Sequence, residues 1–231
     1  LTHHTALIFD VYGTLIDWES GIHTALAAST PSLPLPATWT RADVLRAFGA
    51  VEADLQAQHP AMPYSALLAA AHLALRRRLE ALLDPDPDPD ADADAGAGNS
   101  DRDRAAAEQA AAARFAASIA TWPVFPDTPR ALRTLAEHFT LLALSNASFP
   151  APSIPDPPTP FTSLLTAQDL GAYKPSPTTF SRALAHLQHA HNAPPARVLA
   201  VAQSLFHDHA PARAAGLARG VWIDRRGAVM G

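Results

Sequence analysis

The chain contains no cysteine in its 231 residues, which excludes disulfide bonds and thiolate metal sites. Lysine is almost as scarce, because 16 of the 17 basic residues are arginine and the single lysine is Lys174. Acidic residues outnumber basic ones, giving a formal net charge of -5 and a pI of about 6.1. This balance argues against nucleic acid or an anionic membrane surface as the main partner.

Long hydrophobic runs are also lacking, since His, Arg or Gln interrupts every apolar stretch well before it reaches the length of a membrane span. The N-terminal Leu-Thr-His-His has neither the basic segment nor the apolar run of a secretion signal. We therefore expect a cytoplasmic protein with no membrane or nucleic-acid partner, and we leave a homodimer open. Hydrophobic residues make up 48% of the chain, enough for one core domain that carries a smaller one.

Short apolar runs followed by polar residues predict buried strands that end in turns. There are four of them: Thr5–Phe9, Phe139–Leu144, Val198–Ala202 and Gly220–Ile223. One helical pattern precedes each of the last three runs, at Thr128–His138, Pro177–His191 and Ala210–Leu217. This alternation predicts an α/β fold with a Rossmann-like parallel sheet, right-handed crossovers and flanking helices.

The segment after the first strand has a different character. Three Ala- and Leu-rich helical patterns fill it, at Thr40–His59, Tyr64–Leu83 and Arg104–Ala120, and Thr40 with Asp43 resembles a capping pair. We predict an inserted all-helical domain over residues 18–120, and a core domain formed by residues 1–17 and 121–231. The acidic, Pro-rich stretch 84–103 predicts a disordered loop, and Pro150–Pro160 predicts a connector.

Candidate functional residues follow the predicted strands. Asp10 and Thr14 end the first one, Ser145 and Asn146 end the second, and Asp208 comes after the strand Val198–Ala202. Lys174 precedes a helix that Pro175 and Pro177 help to start. Because the carboxyl ends of parallel strands share one edge of the sheet, we expect these side chains to converge there.

In this order the four groups resemble the motifs of the haloacid dehalogenase superfamily. The match rests on Asp10-Val11-Tyr12-Gly13-Thr14-Leu15, Ser145-Asn146, Tyr173-Lys174-Pro175 and Asp208. The resemblance implies a Rossmann-like core, a helical cap domain and hydrolysis through a covalent aspartyl intermediate. It makes Asp10 the nucleophile, with Thr14, Ser145, Asn146, Lys174 and Asp208 as the other catalytic residues.

Two substitutions within the motifs favour the dehalogenase branch of that superfamily. Its phosphatases carry a second Asp two residues after the nucleophile, where this chain has Tyr12, and an acid in the last motif, where it has Gln203. The phenol of Tyr12 is too weak an acid to protonate a leaving alkoxide efficiently. With Gln203 in place of the acid, a magnesium site at this position would lack one charged oxygen ligand. We therefore predict no metal and no cofactor, with magnesium as the alternative.

The resemblance to type II L-2-haloacid dehalogenases is incomplete. Those enzymes have Ser and Asn where this chain has Gln203 and Leu205, and a Tyr where it has Phe180. Their cap supplies an Arg, for which Arg46 is preferred over Arg41 and Arg76–Arg78. The predicted substrate-binding residues are Val11, Tyr12, Trp18, Arg46 and Gln203.

The leading hypothesis is displacement of a leaving group at C2 of a small 2-substituted carboxylic acid, as in (S)-2-haloacid dehalogenation. Three alternatives stay open: ring opening of the L-azetidine-2-carboxylate type, a magnesium-dependent phosphatase, and an inactive binding protein with the same fold. His207 and His209 flank Asp208, but two histidines at this spacing make a weak zinc signal.

Overall fold

The computed structural model describes residues 3–29, 33–84, 100–147 and 159–230. The chain divides into two compact units, one comprising Leu1–Ser20 with Ala120–Val229 and the other comprising Gly21–Ile119. We call the first the sheet unit and the second the helical unit. None of the described helices is long and apolar enough to cross a membrane.

The sheet unit is built on five parallel strands in the order β3-β2-β1-β4-β5. Their bounds are β1 Ala6–Asp10, β2 Thr140–Ser145, β3 Ser163–Thr166, β4 Val198–Ala202 and β5 Gly220–Trp222. Strands β1 and β4 are buried along their whole length, as expected for parallel strands covered on both faces. The predicted parallel sheet flanked by helices is confirmed.

The register of the central strands places the polar residues side by side. Asp10 at the end of β1 lies opposite Leu144 of β2, so Ser145 comes one residue beyond it. Phe9 lies opposite Val201 of β4, so the segment after Ala202 leaves the sheet at the same edge. The carboxyl ends of β1, β2 and β4 therefore lie side by side at one edge of the sheet.

Helices of the sheet unit cover the sheet. They are α5 Thr128–Ala136, α6 Ala167–Leu170, α7 Pro177–His191 and α8 Ala210–Ala214. Helix α7 begins where the Ser176 hydroxyl accepts the amide of Thr178 and Pro177 occupies the first turn. Its apolar stripe, Phe180, Leu184 and Leu187, packs in a core with Ile8 and Leu144 from the sheet.

The helical unit contains α2 Arg41–Gln58, α3 Tyr64–Leu83, α4 Ser100–Ala117 and most of α1 Trp18–Ala28. The predicted capping pair is confirmed, because the Thr40 hydroxyl accepts the amide of Asp43 and the Asp43 carboxylate accepts the amide of Thr40. Phe48 of α2 and Phe115 of α4 pack with their ring centroids 5.6 Å apart in the interior of this unit. The described part of the inserted segment is therefore all-helical, as predicted.

The structure corrects several predicted bounds. Helix α4 begins at Ser100, so the last four residues of the predicted loop 84–103 belong to a helix; acidic residues suit the first turn because of the helix dipole. Residues 85–99 and 148–158 lie outside the described ranges, so the disordered loop and most of the Pro-rich connector stay predictions. The predicted helix Ala210–Leu217 begins at Ala210 as α8 but ends at Ala214, and a π-helical turn, Leu205–His209, precedes it.

Candidate active site

Residues at the carboxyl ends of β1 and β2, together with one from the turn after β4, meet at the ammonium group of Lys174. Lys174 Nζ lies 2.6 Å from Asp10 Oδ1, 2.8 Å from Asp208 Oδ1 and 3.2 Å from the carbonyl oxygen of Leu144. An ammonium has three N–H donors, and each of these three acceptors takes one. The Lys174 side chain is 4% exposed, so the group is removed from solvent and held by its partners.

The second oxygen of Asp10 is held by a neighbour on the same loop. Thr14 Oγ1 donates to Asp10 Oδ2 at 2.5 Å and accepts the backbone amide of Gln203 at 2.9 Å. The loop is closed by the carbonyl of Val11, which accepts the amides of Leu15 and Ile16. Both carboxylate oxygens of Asp10 therefore have a fixed partner, which sets the orientation of this side chain.

The loop that carries Lys174 is tied to the end of β2 by Asn146. Asn146 Nδ2 donates to the carbonyl of Lys174 at 3.0 Å, and Asn146 Oδ1 accepts the Lys174 amide at 2.7 Å. The buried hydroxyl of the preceding Ser145 accepts the amide of Ala147 at 3.1 Å. Asn146 thus acts on the backbone of Lys174, while Ser145 stabilises the turn that follows β2.

Asp208 sits in the π-helical turn after β4 and is 2% exposed. Burial, together with the negative charge of Asp10, raises the pKa of its carboxyl well above the ordinary range, although Lys174 acts in the opposite direction. Burial alone would lower the pKa of the Lys174 ammonium, but the charges of Asp10 and Asp208 outweigh it and raise that pKa. The result is one buried cation that lies between the carboxylates of Asp10 and Asp208.

Aromatic side chains flank the loop after β1. The rings of Tyr12 and Trp122 form an edge-to-face contact with centroids 5.6 Å apart. Gly13 has a φ of +90°, and a β-carbon there would lie 3.2 Å from Trp18 Nε1 and 3.6 Å from Gln203 Oε1. The predicted substrate-binding residues Tyr12, Trp18 and Gln203 therefore gather around this loop, where Val11 is fully buried. Burial raises the pKa of the Tyr12 phenol above its usual value.

Arg46 belongs to the helical unit, and its placement adds no support for substrate binding. Its side chain is 67% exposed and lies 3.4 Å from the Asp43 carboxylate. Arg76 pairs with Glu80 and Glu108, and Arg78 pairs with Asp54. The role of Arg46 toward a substrate carboxylate stays a prediction.

The histidines beside Asp208 have separate neighbours. His207 Nδ1 lies 3.4 Å from the Ser204 hydroxyl, and His209 Nε2 lies 3.0 Å from the carbonyl of Ala202. Within the described ranges, no group of three or more His, Asp or Glu side chains is arranged to hold a metal ion.

Sequence reasoning missed three contributors to this site. Trp122 packs on Tyr12, the Leu144 carbonyl accepts from Lys174, and Arg225 donates to the carbonyl of Thr14. A carbonyl acceptor has no sequence signal, because every residue carries one. Arg225 follows β5, and inspecting the residues after the fifth strand as closely as those after the others would have found it.

Comparison with protein-family models gives a match over residues 4–216 to a family described as "Hydrolase: haloacid dehalogenase-like hydrolase". Comparison with curated proteins finds no match. The family match spans both units and includes every predicted site residue.

Solved structures with the same fold include several dehalogenases. A 2-haloacid dehalogenase from Pseudomonas syringae is 22% identical with a TM-score of 0.58, covering 97% of this chain and 88% of that one. An L-2-haloacid dehalogenase from Xanthobacter autotrophicus, with chloropropionic acid covalently bound, is 18% identical with a TM-score of 0.62, covering 98% and 80%. A Bacillus subtilis protein assigned to the HAD-hydrolases, bound to magnesium, is 16% identical with a TM-score of 0.69, covering 98% and 91%. At these identities the similarity establishes the fold.

Proposed function

The chain belongs to the haloacid dehalogenase-like hydrolase family, and from this we propose that it displaces a leaving group from C2 of a small 2-substituted carboxylic acid, with Asp10 as nucleophile. The nominal substrate is an (S)-2-haloacid, and the helical unit serves as the cap domain. The proposal needs no metal and no cofactor.

The observation that carries this proposal is the double restraint on Asp10. A carboxylate in water is a weak nucleophile, so it has to be ionised, aimed and partly freed of its hydration shell. Asp10 is 8% exposed, its Oδ1 is paired with the Lys174 ammonium and its Oδ2 accepts the Thr14 hydroxyl. The Lys174 ammonium, 2.6 Å from Asp10 Oδ1, places a positive charge beside this buried carboxylate.

The reaction proceeds in two displacements. An Asp10 carboxylate oxygen forms a bond to C2 of the substrate while the bond from C2 to the halogen breaks and halide leaves with the electron pair. Water then attacks the carbonyl carbon of the resulting Asp10 ester, and Asp208 accepts a proton from it. The ester bond to Asp10 breaks, which restores its carboxylate and releases a 2-hydroxy acid after the alkoxide takes up a proton. The raised pKa of Asp208 suits a group that accepts this proton.

Tyr12 determines which leaving group fits this site. An alkoxide or amide anion needs a proton to depart, whereas a halide does not. The residue two positions after Asp10 is Tyr12, and burial moves its pKa further above the usual phenol value, which makes it a still weaker acid. The loop after β1 therefore favours a leaving group that departs as a stable anion.

Single-turnover labelling tests the proposal. With enzyme in excess over (S)-2-chloropropionate in H₂¹⁸O, we expect chloride release and one ¹⁸O atom in the peptide that contains Asp10, read by mass spectrometry. Label found only in the product would mean that water attacks the substrate directly, which contradicts the nucleophile assignment. Running L-azetidine-2-carboxylate and p-nitrophenyl phosphate in parallel separates carbon–nitrogen cleavage and phosphate release from dehalogenation.

Magnesium does not fit the donor set at this site. A hard divalent cation prefers several charged oxygen ligands. Here Asp10 and Asp208 supply the carboxylates of the site, and one oxygen of each already accepts from Lys174 Nζ. Tyr12 and Gln203 occupy the two positions where the family's phosphatases carry acids. The proposed reaction has no step through a metal.

Chelation should therefore leave turnover unchanged. We expect the rate after dialysis against EDTA to stay within about twofold of the untreated rate, because no step requires a bound cation. The measurement compares initial rates before chelation, after it, and after magnesium is restored. Loss of activity on chelation and recovery with magnesium would contradict the proposal and support the phosphatase alternative.

A further inference from the structure

Arg225 connects the segment after β5 to the loop that carries Asp10. Its Nε and Nη2 donate to the backbone carbonyl of Thr14 at 3.0 Å and 2.6 Å. Thr14 is the residue whose hydroxyl donates to Asp10 Oδ2. The carbonyl and the side chain of Thr14 share one α-carbon, so fixing the carbonyl restricts where the hydroxyl can lie.

The guanidinium of Arg225 is itself held in place. Its Nη1 donates to both oxygens of the Asp127 carboxylate, at 2.9 Å and 3.0 Å. Its central carbon lies 3.9 Å from the ring centroid of Phe125, so one face stacks on an aromatic ring. The Arg225 side chain is 17% exposed, which limits its freedom to move.

The partners of Arg225 lie on a segment that is itself paired with the Asp10 loop. The amide of Phe125 and the hydroxyl of Thr128 both donate to the carbonyl of Leu15, at 3.0 Å and 3.1 Å. Arg225 donates to the carbonyl of the preceding residue, Thr14. Two successive carbonyls after the Asp10 turn are therefore anchored, one by this segment and one by Arg225.

We propose that Arg225 is a positioning residue for the reaction: through Thr14 it sets the direction in which Asp10 Oδ2 is held. Lys174 restrains Asp10 Oδ1 directly, and Arg225 restrains Asp10 Oδ2 indirectly, through Thr14. The two cations therefore act on different oxygens of one carboxylate. Because a guanidinium directs its N–H groups in one plane, it donates to Thr14 and Asp127 simultaneously, which a lysine ammonium does not reproduce. This inference rests on the proposed role of Asp10.

The first test does not depend on turnover. We expect the hydroxyl proton of Thr14, held between Thr14 and a buried carboxylate, to exchange slowly enough with water to be observed by NMR, with Thr14→Val assigning the signal. Arg225→Gln should abolish or broaden it, and Arg226→Gln should leave it unchanged, because Arg226 is 95% exposed. An unchanged signal in folded Arg225→Gln would overturn the inference, whatever substrate the enzyme uses.

The second test is a double-mutant cycle in turnover. Arg225→Gln and Arg225→Lys should each lower kcat by about ten- to a hundredfold with KM nearly unchanged, because small displacements of a nucleophile cost that much. In a Thr14→Val background, Arg225→Gln should lower kcat by less than about a further twofold. The hydroxyl that Arg225 positions is already absent in that background. If the double variant instead loses kcat by the product of the two single losses, Arg225 does not act through the Thr14 hydroxyl.

Combining these tests with the ¹⁸O labelling experiment separates the failure of this inference from the failure of the proposed function. Label missing from Asp10 in the wild-type enzyme contradicts the nucleophile assignment. Label present in Asp10 with normal turnover in Arg225→Gln contradicts only the positioning role of Arg225.

Discussion

Replacing Asp10 by Asn should lower turnover by at least about a thousandfold, because a neutral amide does not form the ester that the reaction requires. The fold should persist, since Lys174 Nζ keeps Asp208 and the Leu144 carbonyl as acceptors. Removing one of two buried carboxylates also leaves the remaining ion pair neutral overall. The measurement is single-turnover product formation together with the melting temperature.

Asp169→Asn is the matched control for this variant. Asp169 caps the short helix α6 by accepting the amide and hydroxyl of Thr166, so its loss affects local stability and not the reaction. We expect Asp169→Asn to keep nearly full turnover. More than a few per cent of wild-type activity in Asp10→Asn would show that another group attacks the substrate.

Lys174→Arg should lower kcat by about a hundredfold although it keeps the charge. Lys174 Nζ donates to three acceptors that surround a single nitrogen, Asp10 Oδ1, Asp208 Oδ1 and the Leu144 carbonyl. A planar guanidinium is larger and spreads its donors over three nitrogens, so it displaces at least one of these partners. We expect the displaced partner to include Asp10, which moves the nucleophile out of line.

Lys174→Met separates charge from shape at the same position. It leaves the carboxylates of Asp10 and Asp208 buried near each other without a cation, so the loss of activity should exceed that of Lys174→Arg. Arg226→Lys is the control for exchanging the two cations, because that side chain is exposed. Near-wild-type turnover in Lys174→Arg would show that Lys174 does not position Asp10 for the reaction.

The sequence predicted long elements better than short ones. Helices Tyr64–Leu83 and Pro177–His191 have the predicted bounds. The first is a long run of strong helix formers, mainly Ala, Leu and Arg, and the second begins at a clear start signal, Ser176 followed by Pro177. Strand β3, Ser163–Thr166, was missed because it has four residues at an edge of the sheet and exposes Leu164. Its pairing with β2 is a tertiary contact, and no local periodicity reveals it.

For the site, the sequence indicated which residues meet but not how their atoms pair. Asp10, Lys174 and Asp208 were placed together because the ends of parallel strands share an edge. The pairing of Asn146 with the backbone of Lys174, and of Arg225 with the backbone of Thr14, depends on loop geometry. Neither contact follows from the residue type, because amides and guanidinium groups bind carbonyls throughout proteins.

The strand order has a consequence for how the chain assembles. Strand β1 lies between β2 and β4, and its Ala6 pairs with Thr140 and with Val198, which are 134 and 192 residues later. At about 5–20 residues per second, the ribosome needs roughly 10–40 s to make the intervening chain. Until residues 174 and 208 have been made, Asp10 lacks Lys174 and Asp208 as partners, whereas the helices α2 and α3, adjacent in sequence, are already available to pack. Asp10 thus gains its contacts with Lys174 and Asp208 only after the helices between β1 and β2 have been made, so under the proposed mechanism ester formation at Asp10 would report that the sheet unit has folded completely.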